Sequence, residues 1–242
     1  MDFTNKIAVV TGGANGIGAC ITREFRALGA QVVVIDIDDK PCDCELFHHG
    51  NIAEDHVLTE FASKVVAEFG KVDFLINNAC ASRGGILSGC GYDDFLHIQK
   101  VGVAAPYMLT KLFLPYFGDG ASIVNISSTR AGMSQPDTES YTAAKGGISA
   151  LTHALAISLA GKVRVNSISP GWINTTSGEF SSEDKRQHPA GRIGTPLDIA
   201  KMVMYLCSDN SSFITGENIT IDGGMSKLMV YHGDCGWKFG ER

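Results

Sequence analysis

Ile7-Ala8-Val9-Val10-Thr11-Gly12-Gly13-Ala14-Asn15-Gly16-Ile17-Gly18 joins a short apolar run to a glycine-rich turn, and a helical pattern then continues through Leu28. Four consecutive apolar residues bounded by turn residues read as a buried strand. Gly12 allows a tight exit from that strand, Gly16 lets the backbone approach a pyrophosphate, and Gly18 lets the following helix pack close to the sheet. The helix beginning around Asn15 and Ile17 points unpaired N–H groups and the positive end of its dipole at the same place. Glycine-rich turns are common. The weight of this one lies in its context, a strand before it and a helix after it.

Outward from this turn the same alternation repeats. Strands are expected at residues 31–35, 45–48, 74–76, 122–126, 163–168 and 218–221, and helices at 54–69, 93–117, 140–160 and 196–208. The helix over 93–117 is interrupted at Gly102 and Pro106, and residues 176–194 read as an irregular, mobile cover. Continuous apolar strands alternating with helices predict a parallel sheet covered on both faces. Right-handed crossovers then make it a doubly wound α/β sheet of the Rossmann type, a single domain over residues 1–225. In such sheets ligands sit at the carboxyl ends of the strands.

The chain has 242 residues, a net charge of −6 and a pI near 5.6, with no basic run, which argues against a nucleic-acid or anionic-membrane surface. No apolar stretch approaches a membrane span, and the first residues lack a signal-peptide pattern, so the cytoplasm is the expected compartment. Seven scattered cysteines do not suggest a disulfide framework. Cys42-Asp43-Cys44, with His48 and His49 nearby, has no second pair at zinc spacing and reads as free thiols, so no metal is expected.

Asp36 closes the second strand, eighteen residues after Gly18. A carboxylate there accepts both ribose hydroxyls of NAD and repels the 2′-phosphate of NADP. No Arg or Lys occupies positions 12–18 or 37–38 to receive such a phosphate. NAD is the expected cofactor.

Further along come Asn77-Asn78-Ala79, Ser127-Ser128, Tyr141-x-x-x-Lys145, Pro170-Gly171 and Asp222-Gly223-Gly224, each after its own strand. With the glycine-rich turn they resemble the compact branch of the short-chain dehydrogenase/reductase family over residues 1 to about 225. The resemblance implies that Tyr141 is the acid/base at a substrate oxygen, that Lys145 eases its ionisation and holds the nicotinamide ribose, and that Ser128 polarises the substrate. A tyrosine with its ordinary pKa near ~10 needs such help at neutral pH. The spacing of four puts Tyr141 and Lys145 on one helical face.

By position, the resemblance adds Asn51 and Ile52 for adenine, Asn78 and Ala79 for the nicotinamide ribose, and Pro170, Gly171, Ile173 and Thr175 for the carboxamide side. Cys80 replaces a family glycine, and Gly102 stands where the family has a catalytic asparagine, with Gln99 and Lys100 on other faces. Because Pro106 has no N–H, the Gly102 carbonyl loses its helical partner and could still serve a proton relay. A second class of function, a non-catalytic dinucleotide-binding protein, therefore stands beside the enzyme.

The substrate is expected to be a small alcohol or carbonyl compound, with a polyol, sugar or hydroxy acid favoured. Arg83, Arg130, Met133, Gln135, Trp172 and His188 are candidates to face it. Residues 226–242 mix Leu228, Met229, Val230, Tyr231, Trp237 and Phe239 with polar residues. That extension is expected to pack on the domain or on a neighbouring subunit of a dimer or tetramer.

Overall fold

The structure, a computed structural model, describes residues 1–40, 42–176 and 178–238. Ser177, inside the expected cover, and residues 239–242, at the end of the extension, lie outside the described residues. Seven strands form one parallel sheet: β1 (Ile7–Thr11), β2 (Gln31–Asp36), β3 (Leu46–His49), β4 (Val72–Asn77), β5 (Phe117–Ile126), β6 (Val163–Pro170) and β7 (Asn218–Ile221). Their order is β3-β2-β1-β4-β5-β6-β7. The helices are α1 (Gly16–Ala27), α2 (Asp55–Phe69), α3 (Tyr92–Gln99), α4 (Ala105–Phe113), α5 (Glu139–Ser158), α6 (Ser182–Arg186) and α7 (Pro196–Cys207).

The continuous apolar strands are explained by burial on both faces. Val9 and its neighbours Val33 and Leu75 enter a core with Phe61 of α2 and Leu109 of α4. The adjacent Val10, with Val34 and Ile76, enters a second core with Phe25 of α1 and Val203 of α7. Successive strand residues point to opposite faces, so neither face can be polar. Each such side chain, fully buried, contributes about 1.5–3 kcal/mol.

From β1 the chain runs outward to β2 and β3, then returns to β4 on the other side of β1. Thr11 and Asn77, aligned at the carboxyl ends of β1 and β4, mark the crevice where that direction reverses.

Three local features differ from the expectation. The helix expected over 93–117 continues past Gly102 as a π turn, Lys100–Ala104, in which Ala105 N–H reaches back five residues to the Lys100 carbonyl. Pro106, with no N–H to give, makes the ordinary ladder impossible at that point. The helical path ends before Phe117, which begins β5 after a single 3₁₀ turn at Leu114–Tyr116. The cover expected to be irregular holds α6, whose Ser181 and Asp184 cap it reciprocally. Among the described residues no helix is long and apolar enough to cross a membrane.

Candidate active site

The glycine-rich turn is a cradle that side chains would fill. Gly12 has φ +66°, and a Cβ on it would lie 2.9 Å from Ala79 Cα. A Cβ on Gly18 would lie 1.9 Å from the Gly12 carbonyl oxygen. The Thr11 hydroxyl accepts from the N–H groups of Asn78 and Ala79, both at 3.1 Å. The Asn78 amide donates to the carbonyls of Thr11 (3.1 Å) and Gly12 (2.8 Å). Asn78 and Ala79 thereby brace the cradle as well as bordering it. An open backbone turn at a helix N-terminus fits a dinucleotide pyrophosphate.

Asp36 is buried at the end of β2. Its carboxylate accepts from Ala14 N–H (2.9 Å) and from Asp38 N–H (3.0 Å), leaving a lone pair on each oxygen for a further donor. Beside it, Asn15 donates to Asp38 (2.7 Å) and accepts from Lys40 (3.0 Å). Lys40 was missed because only positions 37–38 were read as facing this edge; the loop after β2 carries it back over the turn. At the end of β3, the Asn51 side-chain oxygen accepts from Ala53 N–H (3.0 Å), and Ile52 is buried in the core.

Ser128, just beyond β5, is buried, and its hydroxyl accepts from Arg130 N–H at 3.1 Å. Tyr141 and Lys145 lie one turn apart on α5. Lys145 is 4% exposed, with its ammonium donating to the Ile126 carbonyl (2.7 Å) and standing 5.4 Å from the centre of the Tyr141 ring. All three line a cleft of about 780 Å³ at the carboxyl end of the sheet. Ile17, Asn78, Pro170, Gly171, Ile173 and Thr175 line it too.

Burial, with a smaller contribution from the Cys80 thiol, pushes the Tyr141 phenol up to about 12, while the Ser128 hydroxyl and the Arg130 guanidinium pull it back. Burial pulls Lys145 below the usual lysine value.

Polar braces fix α5 against the sheet. The Ser127 hydroxyl donates to the Lys145 carbonyl (2.9 Å). Asn77, Asn125 and Thr152 form a buried chain from β4 through β5 to α5. The Gln99 amide donates to the Ser140 carbonyl (2.9 Å), next to Tyr141. This corrects the expectation that Gln99 lies on a face other than that of Gly102, since both meet α5. Gln99, not Gly102, is the central helix's polar side chain at the start of α5, whereas a Cβ on Gly102 would lie 2.8 Å from Ala144 Cβ. Cys80 needs no strained backbone, since Asn5 and Asp137 are the described non-glycine residues with positive φ.

Of the substrate candidates, Arg130, Met133, Gln135 and Trp172 line the cleft. Arg83 is exposed outside it. His188 is buried away from it, its Nδ1 donating to the Asp184 carbonyl at 3.1 Å and its ring against Trp172. Ser82, Ser134, Gln187 and Met225 also line the cleft and carried no sequence signal, because loop paths bring them there.

The family profile described as "Enoyl-(Acyl carrier protein) reductase" matches residues 12–226. An uncharacterized oxidoreductase of Thermotoga maritima is 38% identical, over 93% of this chain and 98% of its own length. The 3-oxoacyl-[acyl-carrier-protein] reductase FabG of the same organism is 32% identical over 93% of this chain and 99% of its own length. The solved structure of an apo SCOR enzyme from Clostridium thermocellum is 46% identical with a TM-score of 0.93, covering 99% of this chain and 100% of that one. With the fold and the ordered motifs, these matches establish that the chain belongs to the short-chain dehydrogenase/reductase family of oxidoreductases.

Proposed function

We propose that the chain is an NAD-dependent oxidoreductase moving a hydride between nicotinamide and the carbonyl or secondary alcohol of a small polar molecule: a polyol, a sugar or a hydroxy acid. The observation that carries this reading is the convergence of Ser128, Tyr141 and Lys145 on one cleft beside the glycine cradle. When bound, the cofactor would supply the hydride as NADH or accept it as NAD.

In reduction, Tyr141 donates its proton to the substrate oxygen, and Ser128 hydrogen-bonds that oxygen as charge develops on it. Lys145, already lowered by burial, passes a proton toward Tyr141 and holds the ribose hydroxyls. Oxidation runs these steps backwards. Gly12, Asn15, Gly16, Ile17 and Gly18 hold the pyrophosphate, Asp36 the adenosine ribose, and Asn51 and Ile52 the adenine. Asn78, Ala79, Pro170, Gly171, Ile173 and Thr175 hold the nicotinamide half.

A non-catalytic dinucleotide binder would have no use for a lysine buried beneath a tyrosine, since burying an ammonium is unfavourable unless it serves a purpose. Reduction of a 3-oxoacyl thioester is the second reading, and the similarity to the Thermotoga maritima reductase favours it. The polar lining (Ser82, Arg130, Ser134, Gln135) supports the small polar substrate instead. Described cysteines that are all free fit a reducing, cytoplasmic compartment. A dimer or tetramer is the proposed assembly.

The choice of NAD rests on Asp36 and Asp38, two carboxylates at the end of β2, whereas Lys40 is held on the Asn15 side-chain oxygen rather than on either of them. Steady-state comparison should show kcat/KM with NAD exceeding that with NADP by at least about tenfold, a difference of 1.4 kcal/mol. Asp36→Ala combined with Ile37→Arg should reverse the order. A preference of the unmodified protein for NADP overturns the reading.

A further inference from the structure

We propose that Arg130 anchors a carboxylate on the substrate, so that the pocket selects a short hydroxy acid or oxo acid over neutral sugars, polyols and thioesters. This rests on the oxidoreductase reading above and narrows its substrate class.

The charge around the cleft motivates it. The protein carries a net charge of −6, yet among the described residues the cleft is lined by two cations, Arg130 and Lys145, and by no Asp or Glu. Lys145 is committed to the Ile126 carbonyl beneath Tyr141. Among the described arginines, Arg23, Arg26, Arg186 and Arg192 each meet a carboxylate, and Arg83 is exposed outside the cleft. Arg164 is used up on the Leu206, Ser208 and Ser211 carbonyls. Arg130 meets no carboxylate among the described residues: one terminal nitrogen donates to the neutral side-chain oxygen of Gln135, and the guanidinium lies near the Tyr141 ring. Its charge has no anionic partner there, the rest of its donor fork makes no hydrogen bond among the described residues, and the residue lines the cleft.

Arg130 is also held in place beside the chemistry. Its backbone N–H is fastened to the Ser128 hydroxyl within the 3₁₀ turn Thr129–Ala131. Its guanidinium carbon lies 6.0 Å from the centre of the Tyr141 ring, and its charge is felt by the Tyr141 phenol. A planar guanidinium matches a carboxylate with two parallel hydrogen bonds. A substrate whose reacting oxygen sits at Ser128 and Tyr141 would bring a carboxylate only one or two carbons away onto that fork. The Ser128 contact fixes the turn that carries Arg130, and the Gln135 contact fixes its guanidinium.

The test compares acids with their uncharged isosteres. The 2- and 3-hydroxybutanoates, their primary amides, ribitol, glucose and a 3-oxobutanoyl N-acetylcysteamine thioester are assayed with wild type, Arg130→Gln and Arg130→Lys. Wild type should prefer an acid over its amide by more than about tenfold in kcat/KM, as expected for a charge-assisted pair. The ratio should fall close to one in Arg130→Gln and recover in part in Arg130→Lys, with circular dichroism unchanged. Calorimetric titration of 2- and 3-oxobutanoate into the protein with NAD, which has no hydride to give an oxo acid, reads the same contact without turnover. Binding that disappears in Arg130→Gln supports the inference even if none of the alcohols reacts, an outcome that would count only against the proposed reaction. Amides equal to acids in wild type, an acid preference that survives in Arg130→Gln, or acids that neither bind nor react overturn it.

Discussion

Tyr141 is held as a neutral phenol by its burial, with its pKa raised to about 12, and this has a direction for catalysis. A raised pKa keeps the proton on below that value, so the donor needed for carbonyl reduction is present throughout the neutral range. Oxidation needs the phenolate, whose fraction rises about tenfold per pH unit below the pKa. kcat/KM for reduction should therefore be flat between pH 6 and 9, while that for oxidation climbs with a slope near one until the pKa of the cofactor complex is reached. Tyr141→Phe should lower kcat by about 10²-fold or more with NAD binding retained, as loss of a general acid/base does. A variant keeping a tenth of wild-type turnover would remove Tyr141 from the role. Ser128, Tyr141 and Lys145 were legible in the sequence because a helical spacing and a strand end position them locally. Lys40, Arg130's nearness to the phenol and the Gln99 brace were not, because each depends on where a loop or a second helix lands.

At the scale of elements, the central strands were legible because they are continuous apolar runs, and the doubly wound sheet followed from crossovers, whereas β3 and β7 are only half apolar. The limits of the central helix were not. Leu114-Pro115-Tyr116-Phe117 continues an apolar pattern with no break that tells a 3₁₀ turn from a helix. The five residues of α6 are set by a cap rather than by any periodicity. The π turn itself was half legible, through Pro106. Its register brings Gly102 against Ala144, one residue before Lys145, where a single added methyl would stand 2.8 Å from the Ala144 methyl. Gly102→Ala should therefore push α5, which carries Tyr141 and Lys145, and cost about 1–3 kcal/mol, as overpacking does. That corresponds to a fall in melting temperature of roughly 2–4 °C per kcal/mol for a domain of this size, with a lower kcat. Ala144→Gly in the same chain should restore much of both by making room. A Gly102→Ala protein as stable and active as wild type would show that the two helices do not meet this closely.

The molecule as a whole exposes more apolar surface than its finished core requires. Leu228, Met229, Tyr231 and Trp237 of the C-terminal extension are 48%, 75%, 65% and 41% exposed, so the described extension does not bury these side chains on its own domain. It follows directly on Met225, which lines the cleft, so whatever covers the extension also approaches the pocket. Tyr107 on α4 and Ile157 on α5 expose further apolar area on the outer helical layer. Exposed apolar side chains in such number point to an association surface, and a stable one buries about 1,200–2,000 Å² in total. Sedimentation should accordingly find a dimer or tetramer at micromolar concentration. A chain ended after Lys227 should sediment as a smaller species, or keep its assembly through α4 and α5 while its KM for substrate rises. Melting temperature should depend on protein concentration for the full chain, because association stabilises the folded state by mass action. A full-length protein that sediments as a monomer, with a melting temperature independent of concentration, would leave these side chains bare in solution and defeat the assembly argument.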